Sequence, residues 1–160
     1  MPKKIEPIPD GYHTVTPGLT VRGTAQAIEF YKKAFGAKEL LRMPGPGGKI
    51  THAEIKIGDS IIFVNDEFPE MPGSCRSPHT LHGVTSGLFM YVEDVDIAYT
   101  RAVKAGAKPL MPLADMFWGD RYGQVQDPFG HTWSLATHKE DLSPEEIAKR
   151  QQDFFAALSK

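Results

Sequence analysis

The chain repeats itself at an offset of about 70 residues, and this repetition constrains its fold more than any other feature. Residues 19–40 read LTVRGTAQAIEFYKKAFGAKEL, and residues 88–110 read LFMYVEDVDIAYTRAVKAGAKPL. Each stretch starts with strand-forming residues, continues with apolar residues at helical spacing and then reaches Gly-Ala-Lys. The glycine of each tripeptide, Gly36 or Gly106, is typical of a helix C-cap. The chain therefore predicts two copies of one unit.

Each predicted helix is followed by short strand-like runs rather than by another helix. The last two strands of each copy flank a glycine turn, as IKIGDSIIFVND at 55–66 and as VQDPFGHTWSLAT at 125–137. Gly58 and Gly130 take corresponding places in the two copies. The unit is βαβββ, so the sequence predicts an α+β fold of two βαβββ modules, each a four-stranded sheet with one helix.

The same patterns predict where the parts of the chain begin and end. An N-terminal extension takes residues 1–12, the first module residues 13–66 and the second module residues 83–138. Residues 67–82 are rich in Pro, Ser and Gly and form the connector. Most loops inside compact domains have about 4 to 6 residues, so we expect this longer connector to cross between modules or to cover a site.

Residues 139–160 predict a C-terminal helix with an apolar stripe. Ser143 as N-cap, Pro144 at the first helical position and Glu146 form a capping-box pattern. The apolar positions of this helix are Ile147, Phe154, Phe155 and Leu158. Such a stripe has to be covered by the rest of the chain or by a second subunit. We therefore expect a homodimer.

Composition argues against several kinds of partner. Eighteen Lys and Arg against twenty Asp and Glu give a formal net charge of −2, without a run of like charges that would form an electrostatic arm. Neither nucleic acid nor an anionic membrane is therefore expected as a partner. No stretch of about 18 apolar residues predicts a membrane span, and the first residues do not resemble a signal peptide. We expect a cytoplasmic protein, whose lone cysteine, Cys75, cannot form an internal disulfide.

The repeated unit resembles the vicinal oxygen chelate superfamily, which includes glyoxalases, bleomycin resistance proteins and dioxygenases. Three stretches are more narrowly similar to its PhnB-like branch: TPGLTVRGTAQAIEFYKKAFGAKEL, ITHAEIKIGDSIIFVND and WGDRYGQVQDPFGHTWSLATHKEDLSPEEI. The resemblance implies that each mixed four-stranded sheet is curved, with its helix on the convex side, and that the paired sheets enclose a small-molecule cavity. It does not fix the chemistry, because the superfamily uses this scaffold for isomerisation, ring cleavage, group transfer and sequestration.

The resemblance also implies where a metal would be bound. Metal-dependent members carry a His, Gln or Glu ligand on the first and fourth strands of each unit. The corresponding residues here are Thr16 and Gly87 on the first strands, and Ile62 or Phe63 and Ser134 on the fourth. None of these side chains is a good ligand for a divalent cation. We therefore expect neither the usual metal nor another cofactor, although a divalent metal elsewhere stays an alternative.

His52 and Glu54 are the candidate catalytic residues. They occur in ITHAEIKIGD, residues 50–59, where strand alternation puts both on one face and the alternate apolar residues on the other. Three interpretations stay open: a hydrated sheet surface, two ligands of a metal without an evident third ligand, or an acid/base pair that hydrogen-bonds a bound molecule.

A second group of candidates lies in FWGDRYGQVQDPFGHTW, residues 117–133, where Gln124 takes the repeat position of His52. Trp118 and Tyr122 are suited to flank a planar ligand, and the guanidinium of Arg121 is suited to a carboxylate or phosphonate. The candidate ligand-binding residues are Phe63, Trp118, Arg121, Tyr122, Gln124 and Trp133. Two alternatives stay open: Trp133 also fits the core, and Arg121 also fits a turn in which it pairs with Asp120.

Two functions follow from these residues. We favour a protein that binds a small polar or aromatic metabolite in a cavity between the curved sheets, without the superfamily's usual metal. No nucleophile and no complete set of metal ligands can be assembled from the sequence, which is why binding is favoured. The alternative is an enzyme, metal-dependent or acid/base, with lyase, isomerase or dioxygenase-like chemistry that uses His52 and Glu54.

Overall fold

The computed structural model describes residues 5–158 of the chain. These residues form two compact units: unit 1 contains residues 5–84 and 128–131, and unit 2 contains residues 85–127 and 132–158. Residues 1–4 of the predicted N-terminal extension lie outside the described part, and so do residues 159–160 of the predicted C-terminal helix. Within the described part, no helix is both long enough and apolar enough to cross a membrane.

Unit 1 contains a mixed four-stranded sheet with the strand order β1-β4-β3-β2. Its elements are β1 (Gly18–Val21), α1 (Thr24–Phe35), β2 (Lys38–Pro44), a 3₁₀ turn (Pro46–Gly48), β3 (Ile50–Ile57), β4 (Ser60–Asp66) and α2 (Pro78–Leu81). Strands β1 and β4 are parallel, and the other neighbours are antiparallel. Helix α1 packs on β3 and β4, so only one side of the sheet is covered by this helix.

Unit 2 repeats this arrangement with the strand order β5-β8-β7-β6. Its elements are β5 (Leu88–Tyr91), α3 (Val95–Ala105), β6 (Lys108–Asp115), β7 (Asp120–Gln126), β8 (Thr132–His138) and α4 (Pro144–Leu158). Strands β5 and β8 are parallel, and α3 packs on β6, β7 and β8. The predicted α+β fold, two βαβββ modules followed by a C-terminal helix, is confirmed.

One carboxylate fixes the start of α1 in unit 1. Helix α1 has no side-chain N-cap of its own. Instead, the backbone N–H groups of Gly23 and Thr24 donate to Oδ1 of Asp66 at 2.8 and 3.1 Å. The backbone N–H of Ile50 donates to Oδ2 of the same carboxylate at 2.7 Å. Asp66, the last residue of β4, therefore satisfies the first donors of both α1 and β3.

In unit 2, a hydroxyl group binds the start of the helix, as the carboxylate of Asp66 does in unit 1. Oγ1 of Thr137, near the end of β8, accepts from the backbone N–H of Val95 and donates to the carbonyl of Val92, both at 2.9 Å. Asp94 is the N-cap of α3 and accepts from the backbone N–H of Ile97 at 3.0 Å. Gly123 lets α3 approach β7, because a Cβ atom there would lie 2.9 Å from the ring of Tyr99.

The connector between the two modules is held by a buried carboxylate, Glu67. Ser77 and Thr80 donate hydroxyl hydrogen bonds to its Oε2 at 2.8 and 2.7 Å, and Arg22 and Arg76 lie within ion-pair distance. Burial alone would raise the pKa of Glu67, but hydrogen bonds from Thr80, Ser77 and Arg22 lower this pKa to about 2. A loop that the sequence predicts only from its composition is therefore anchored to the end of β4.

The capping box of the C-terminal helix is confirmed. The backbone N–H of Glu146 donates to Oγ of Ser143 at 3.2 Å, and the backbone N–H of Ser143 donates to Glu146 at 2.8 Å. None of the described residues of α4 is buried. Phe154 contacts Phe117, with ring centroids 5.4 Å apart, whereas Phe155 stays exposed. The homodimer stays a prediction.

We expect Glu67→Gln to lower the free energy of unfolding by about 2 kcal/mol at about pH 7, because a neutral amide leaves the nearby guanidinium groups unpaired. The folded-state pKa of Glu67 is lowered, so its stabilisation is present above pH 4.5 and is lost as pH falls towards about 2. Urea unfolding at several pH values measures this difference. Glu70→Gln, at an exposed position, is the matched control. A difference that does not decrease in acid would contradict the role of the charge.

We expect the protein to elute as a dimer in size-exclusion chromatography with light scattering, because Phe154, Phe155 and Leu158 on α4 are exposed apolar side chains. Removal of residues 143–160 should shift the dimer towards monomer. An unchanged dimer after this deletion would show that α4 lies outside the subunit interface.

Candidate functional site

One side of the sheet in unit 1, the side opposite α1, carries both candidate catalytic residues. The register pairs Met43 with His52, and it pairs both Leu41 and Phe63 with Glu54. Paired residues of neighbouring strands point to the same side. We call this surface the imidazole face; its members are Leu41, Met43, His52, Glu54 and Phe63. The alternate residues of β3, Ala53 and Ile55, are fully buried on the α1 side.

Glu54 is the centre of a hydrogen-bonded chain on the imidazole face. The hydroxyl of Tyr12 donates to its Oε2, and Nε2 of His52 lies 3.1 Å from its Oε1. The hydrogen bond from Tyr12 lowers the pKa of Glu54; burial opposes this effect and the hydrogen bond from His52 adds to it. The same contact raises the pKa of Tyr12. Glu54 is therefore a carboxylate at neutral pH, with both oxygens engaged.

Apolar groups surround this chain. The imidazole of His52 meets the ring of Phe63 edge to face, with centroids 4.7 Å apart. Leu41 and Met43 are 42% and 48% exposed, although both are large apolar side chains. Exposed apolar groups beside a few convergent polar groups are typical of small-molecule sites.

A cavity of about 380 Å³ adjoins the other side of Glu54 in unit 1. Tyr12, Glu54 and Phe63 line it together with residues of the segment 7–16. Tyr12 and this segment were not among the candidates from the sequence. No strand or helix pattern marks Tyr12, so no local signal could have identified it, whereas Leu41 and Met43 follow from alternation once β2 is paired with β3.

The corresponding side of the sheet in unit 2 is rich in aromatic rings. We call it the aromatic face; its members are Phe89, Tyr91, Trp118, Tyr122, Gln124 and Ser134. The ring of Tyr122 stacks on Phe89 with centroids 5.8 Å apart, and Trp118 meets Tyr122 edge to face at 5.5 Å. Phe89 and Tyr91 are 50% and 65% exposed. The structure therefore brings the predicted Trp118, Tyr122 and Gln124 together and adds two rings from β5.

Polar groups lie beside these rings. The hydroxyl groups of Tyr122 and Ser134 share a hydrogen bond of 2.9 Å. The side-chain amide of Gln124 donates to Oγ of Ser134 at 3.3 Å. The aromatic face thus combines π surfaces with an amide and hydroxyl groups, which suits a planar molecule with polar substituents.

Asp120 organises one end of the aromatic face. Its buried carboxylate accepts from the hydroxyl of Tyr91 and from Nε1 of Trp118, both at 3.0 Å. Nδ1 of His138 lies 2.8 Å from the same carboxylate, and Nε2 of His138 lies 2.8 Å from Asp141. The carboxylates of Asp141 and Asp120 together raise the pKa of His138.

Two predicted ligand-binding residues lie on neither face. Arg121 points to the α3 side of the sheet, where it donates to Asp96 at 2.7 and 2.8 Å and to Asp115 at 3.3 Å. Its pKa is raised by these carboxylates, Asp96 first. Trp133 is fully buried and donates from Nε1 to Asp127 at 2.9 Å. Trp133 therefore lies in the core, which was one of its two alternatives. Arg121 pairs with Asp96 and Asp115 rather than with Asp120.

Arg121 also lines a cavity of about 980 Å³ in unit 2. Asp96, Asp115, Arg150 and Phe154 are among the residues around it. Here Arg121 is neutralised by Asp96 and Asp115, and Arg150 pairs with Glu140. The guanidinium groups are thus already paired within the chain, which weakens the prediction that Arg121 anchors an anion.

The superfamily's metal positions can be compared with the residues present. Thr16 precedes β1, and Ser134 hydrogen-bonds Tyr122. Phe63 has no donor atom for a metal, and Gly87 has no side chain. Among residues 5–158, no group of three or more His, Cys, Asp or Glu side chains is placed to hold a metal ion. The residues at the superfamily's positions therefore do not fit a divalent cation.

Comparisons with known proteins agree with the repeated fold. The family model of the Glyoxalase/Bleomycin resistance protein/Dioxygenase superfamily matches residues 12–135. Uncharacterized protein Rv0887c of Mycobacterium tuberculosis is 44% identical over 134 residues, which cover 83% of this chain and 79% of that protein. The crystal structure of TioX from Micromonospora sp. ML1 is similar at 28% identity and a TM-score of 0.61, covering 82% of this chain and 100% of TioX. The PhnB protein from Bacillus cereus shares the fold at 18% identity and a TM-score of 0.60, covering 78% and 99%.

We expect the stabilisation by His138 to be lost as pH rises. Its folded-state pKa lies above 6.5, so the two ion pairs of the imidazolium are fully present below that pH and disappear as pH rises through the folded-state value. The difference in urea midpoint between wild type and His138→Gln should therefore be largest near pH 6 and small by about pH 9. His13→Gln is the matched control. A difference that is the same at both pH values would contradict the ion pairs.

Proposed function

The chain belongs to the Glyoxalase/Bleomycin resistance protein/Dioxygenase superfamily, and we propose that it binds a small aromatic or polar metabolite on the imidazole face. The name of the superfamily joins enzymes with resistance proteins, so membership leaves both catalysis and binding open. The choice between them has to come from the side chains of this chain.

The observation that carries the proposal is the composition of the imidazole face. Leu41 and Met43 are nearly half exposed beside a hydrogen-bonded chain in which Glu54 is largely screened from solvent. A purely hydrated sheet surface would place polar side chains at these two positions. Removing about 100 Å² of such apolar surface from water contributes about 2.5 kcal/mol, which is a useful part of the affinity for a small molecule.

The aromatic face of unit 2 supports the same class of ligand. Phe89 and Tyr91 are at least half exposed, and rings placed side by side offer stacking surface to a planar molecule. Asp120 restrains Tyr91 and Trp118, so these side chains lose little conformational entropy when a ligand binds.

A second candidate function is acid/base catalysis by His52 and Glu54. It is favoured by the geometry of the hydrogen-bonded chain, because Glu54 contacts His52 on one oxygen and Tyr12 on the other. A carboxylate that orients an imidazole is a common arrangement for a general base. The same contacts also serve recognition without turnover, which is the function that we favour.

We expect His52→Ala and Glu54→Gln each to weaken ligand binding about 10-fold, because each removes a hydrogen-bonding group from a partly dry surface. A thermal-shift screen of aromatic metabolites, thiol adducts and phosphonates first finds a ligand, and calorimetry then gives its Kd for each variant. Lys56→Gln, two residues along the same strand, is the control and should keep wild-type affinity.

The outcomes separate the interpretations. Full affinity in both variants would mean that the imidazole face is a hydrated sheet surface. Conversion of the bound compound by wild type, lost in His52→Ala while binding persists, would support the catalytic candidate instead of binding alone.

A further inference from the structure

The arrangement of hydrogen bonds around Glu54 fixes which nitrogen of His52 carries the proton. Tyr12 donates to Oε2, so Oε1 is the oxygen that meets His52. An ionised carboxylate accepts hydrogen bonds and cannot donate one. The contact of 3.1 Å between Oε1 and Nε2 therefore requires a hydrogen on Nε2. The lowered pKa of Glu54, which comes first from the hydrogen bond of Tyr12, agrees with this assignment.

The other nitrogen of His52 is then a hydrogen-bond acceptor. A neutral imidazole has one N–H and one lone pair, so a hydrogen on Nε2 leaves the lone pair on Nδ1. Within residues 5–158, the only hydrogen bond of the His52 side chain is the one to Glu54. The side chain is 32% exposed, and its ring is held by contact with Phe63. Nδ1 is thus an oriented acceptor without a partner in the described part of the chain.

The groups around His52 limit what can meet this acceptor. Met43 lies opposite His52 in the register, and Leu41 and Phe63 lie opposite Glu54, so the side chains that face the pair from the neighbouring strands are apolar. The carboxylate of Glu54 lies next to the imidazole and repels an anion. A matching molecule therefore has an apolar body, no negative charge and one hydrogen-bond donor.

We propose that the imidazole face selects neutral aromatic molecules with an O–H or N–H group, which donates a hydrogen bond to Nδ1 of His52. This inference rests on the proposed binding function and specifies its ligand class. It separates phenols and N–H azoles, which have a donor, from ethers, which have none, and from carboxylates, which are anions without a donor at neutral pH. The hydrogen bonds that Glu54 accepts from Tyr12 and His52 impose this tautomer before any ligand binds.

Three matched probes test the ligand class: para-cresol, its methyl ether 4-methylanisole, and the anion para-toluate. Their Kd values are measured by NMR titration, following the amide signals of β2 and β3. We expect para-cresol to bind about 5- to 10-fold more tightly than 4-methylanisole, because only para-cresol donates to Nδ1. Para-toluate should bind no more tightly than the ether, because it lacks a donor and is repelled by Glu54.

Two variants separate the hydrogen bond from general affinity for rings. His52→Phe keeps a planar ring but removes the acceptor, so the ratio of the two Kd values should fall to about one. Lys56→Gln, on the same side of β3, should keep the wild-type ratio. A direct measurement on the wild-type protein is independent of how these variants fold: ¹⁵N NMR of the imidazole at about pH 8.5, above the usual histidine pKa, should show hydrogen on Nε2 and none on Nδ1.

The results distinguish a failure of donor selection from a failure of the proposed binding function. Equal affinities for para-cresol and 4-methylanisole, or hydrogen on Nδ1 in the wild-type spectrum, would overturn the selection of donors while leaving the binding function intact. If none of the three probes shifts the signals of β2 and β3, both the donor selection and the binding of aromatic molecules on this face are wrong.

Discussion

The position of both candidate faces depends on how the last strand of each unit holds the start of its helix. In unit 1, Asp66 accepts hydrogen bonds from the first backbone N–H groups of α1 and from the first one of β3. In unit 2, Thr137 accepts from the start of α3. These bonds keep each helix on one side of its sheet. Strand alternation then places His52 and Glu54, or Tyr122 and Gln124, on the side that the helix leaves uncovered.

A single buried or half-buried carboxylate organises the polar groups of each face. Glu54 connects His52 with Tyr12, and Asp120 connects Trp118 with Tyr91. In both units the carboxylate belongs to the third strand of the module and accepts a hydrogen bond from a tyrosine outside that strand, Tyr12 or Tyr91. The core behind each face is built from the alternate residues, so the chemistry of a face can change without changes in the core. This separation explains in physical terms why one scaffold serves many chemistries.

The sequence was informative wherever the determining contacts are local or periodic. The repeat predicted the topology, alternation put His52 and Glu54 on one side, and Ser143 with Glu146 predicted the start of α4. It failed where a contact joins distant residues without a pattern. Tyr12 reaches Glu54 across 42 positions of sequence, and Arg121 meets Asp96 across 25.

Residues of β8 show a further limit of alternation. Trp133 and Leu135 point towards the core, while Ser134 and Ala136 take the other side. Both sides of this strand therefore include apolar residues, and alternation alone cannot say which side faces the core. His138 is exposed, yet its ring is held in place. Asp120, earlier in the chain, and Asp141, later in the chain, each contact one of its ring nitrogens.

The two copies of the module differ in the hydrogen-bonding groups of their uncovered faces. In the register of the two sheets, Gln124 opposite Ser134 takes the place that Glu54 opposite Phe63 takes in unit 1, and the amide of Gln124 contains both a donor and an acceptor. In unit 1 the ionised Glu54 accepts only, and this forces a defined polarity onto His52. Under the proposed binding function, a ligand of the imidazole face therefore has to supply a donor, whereas the aromatic face would discriminate mainly by shape and stacking. Of the two, the imidazole face is the one where exchanging a single hydrogen for a methyl group on a ligand should matter most.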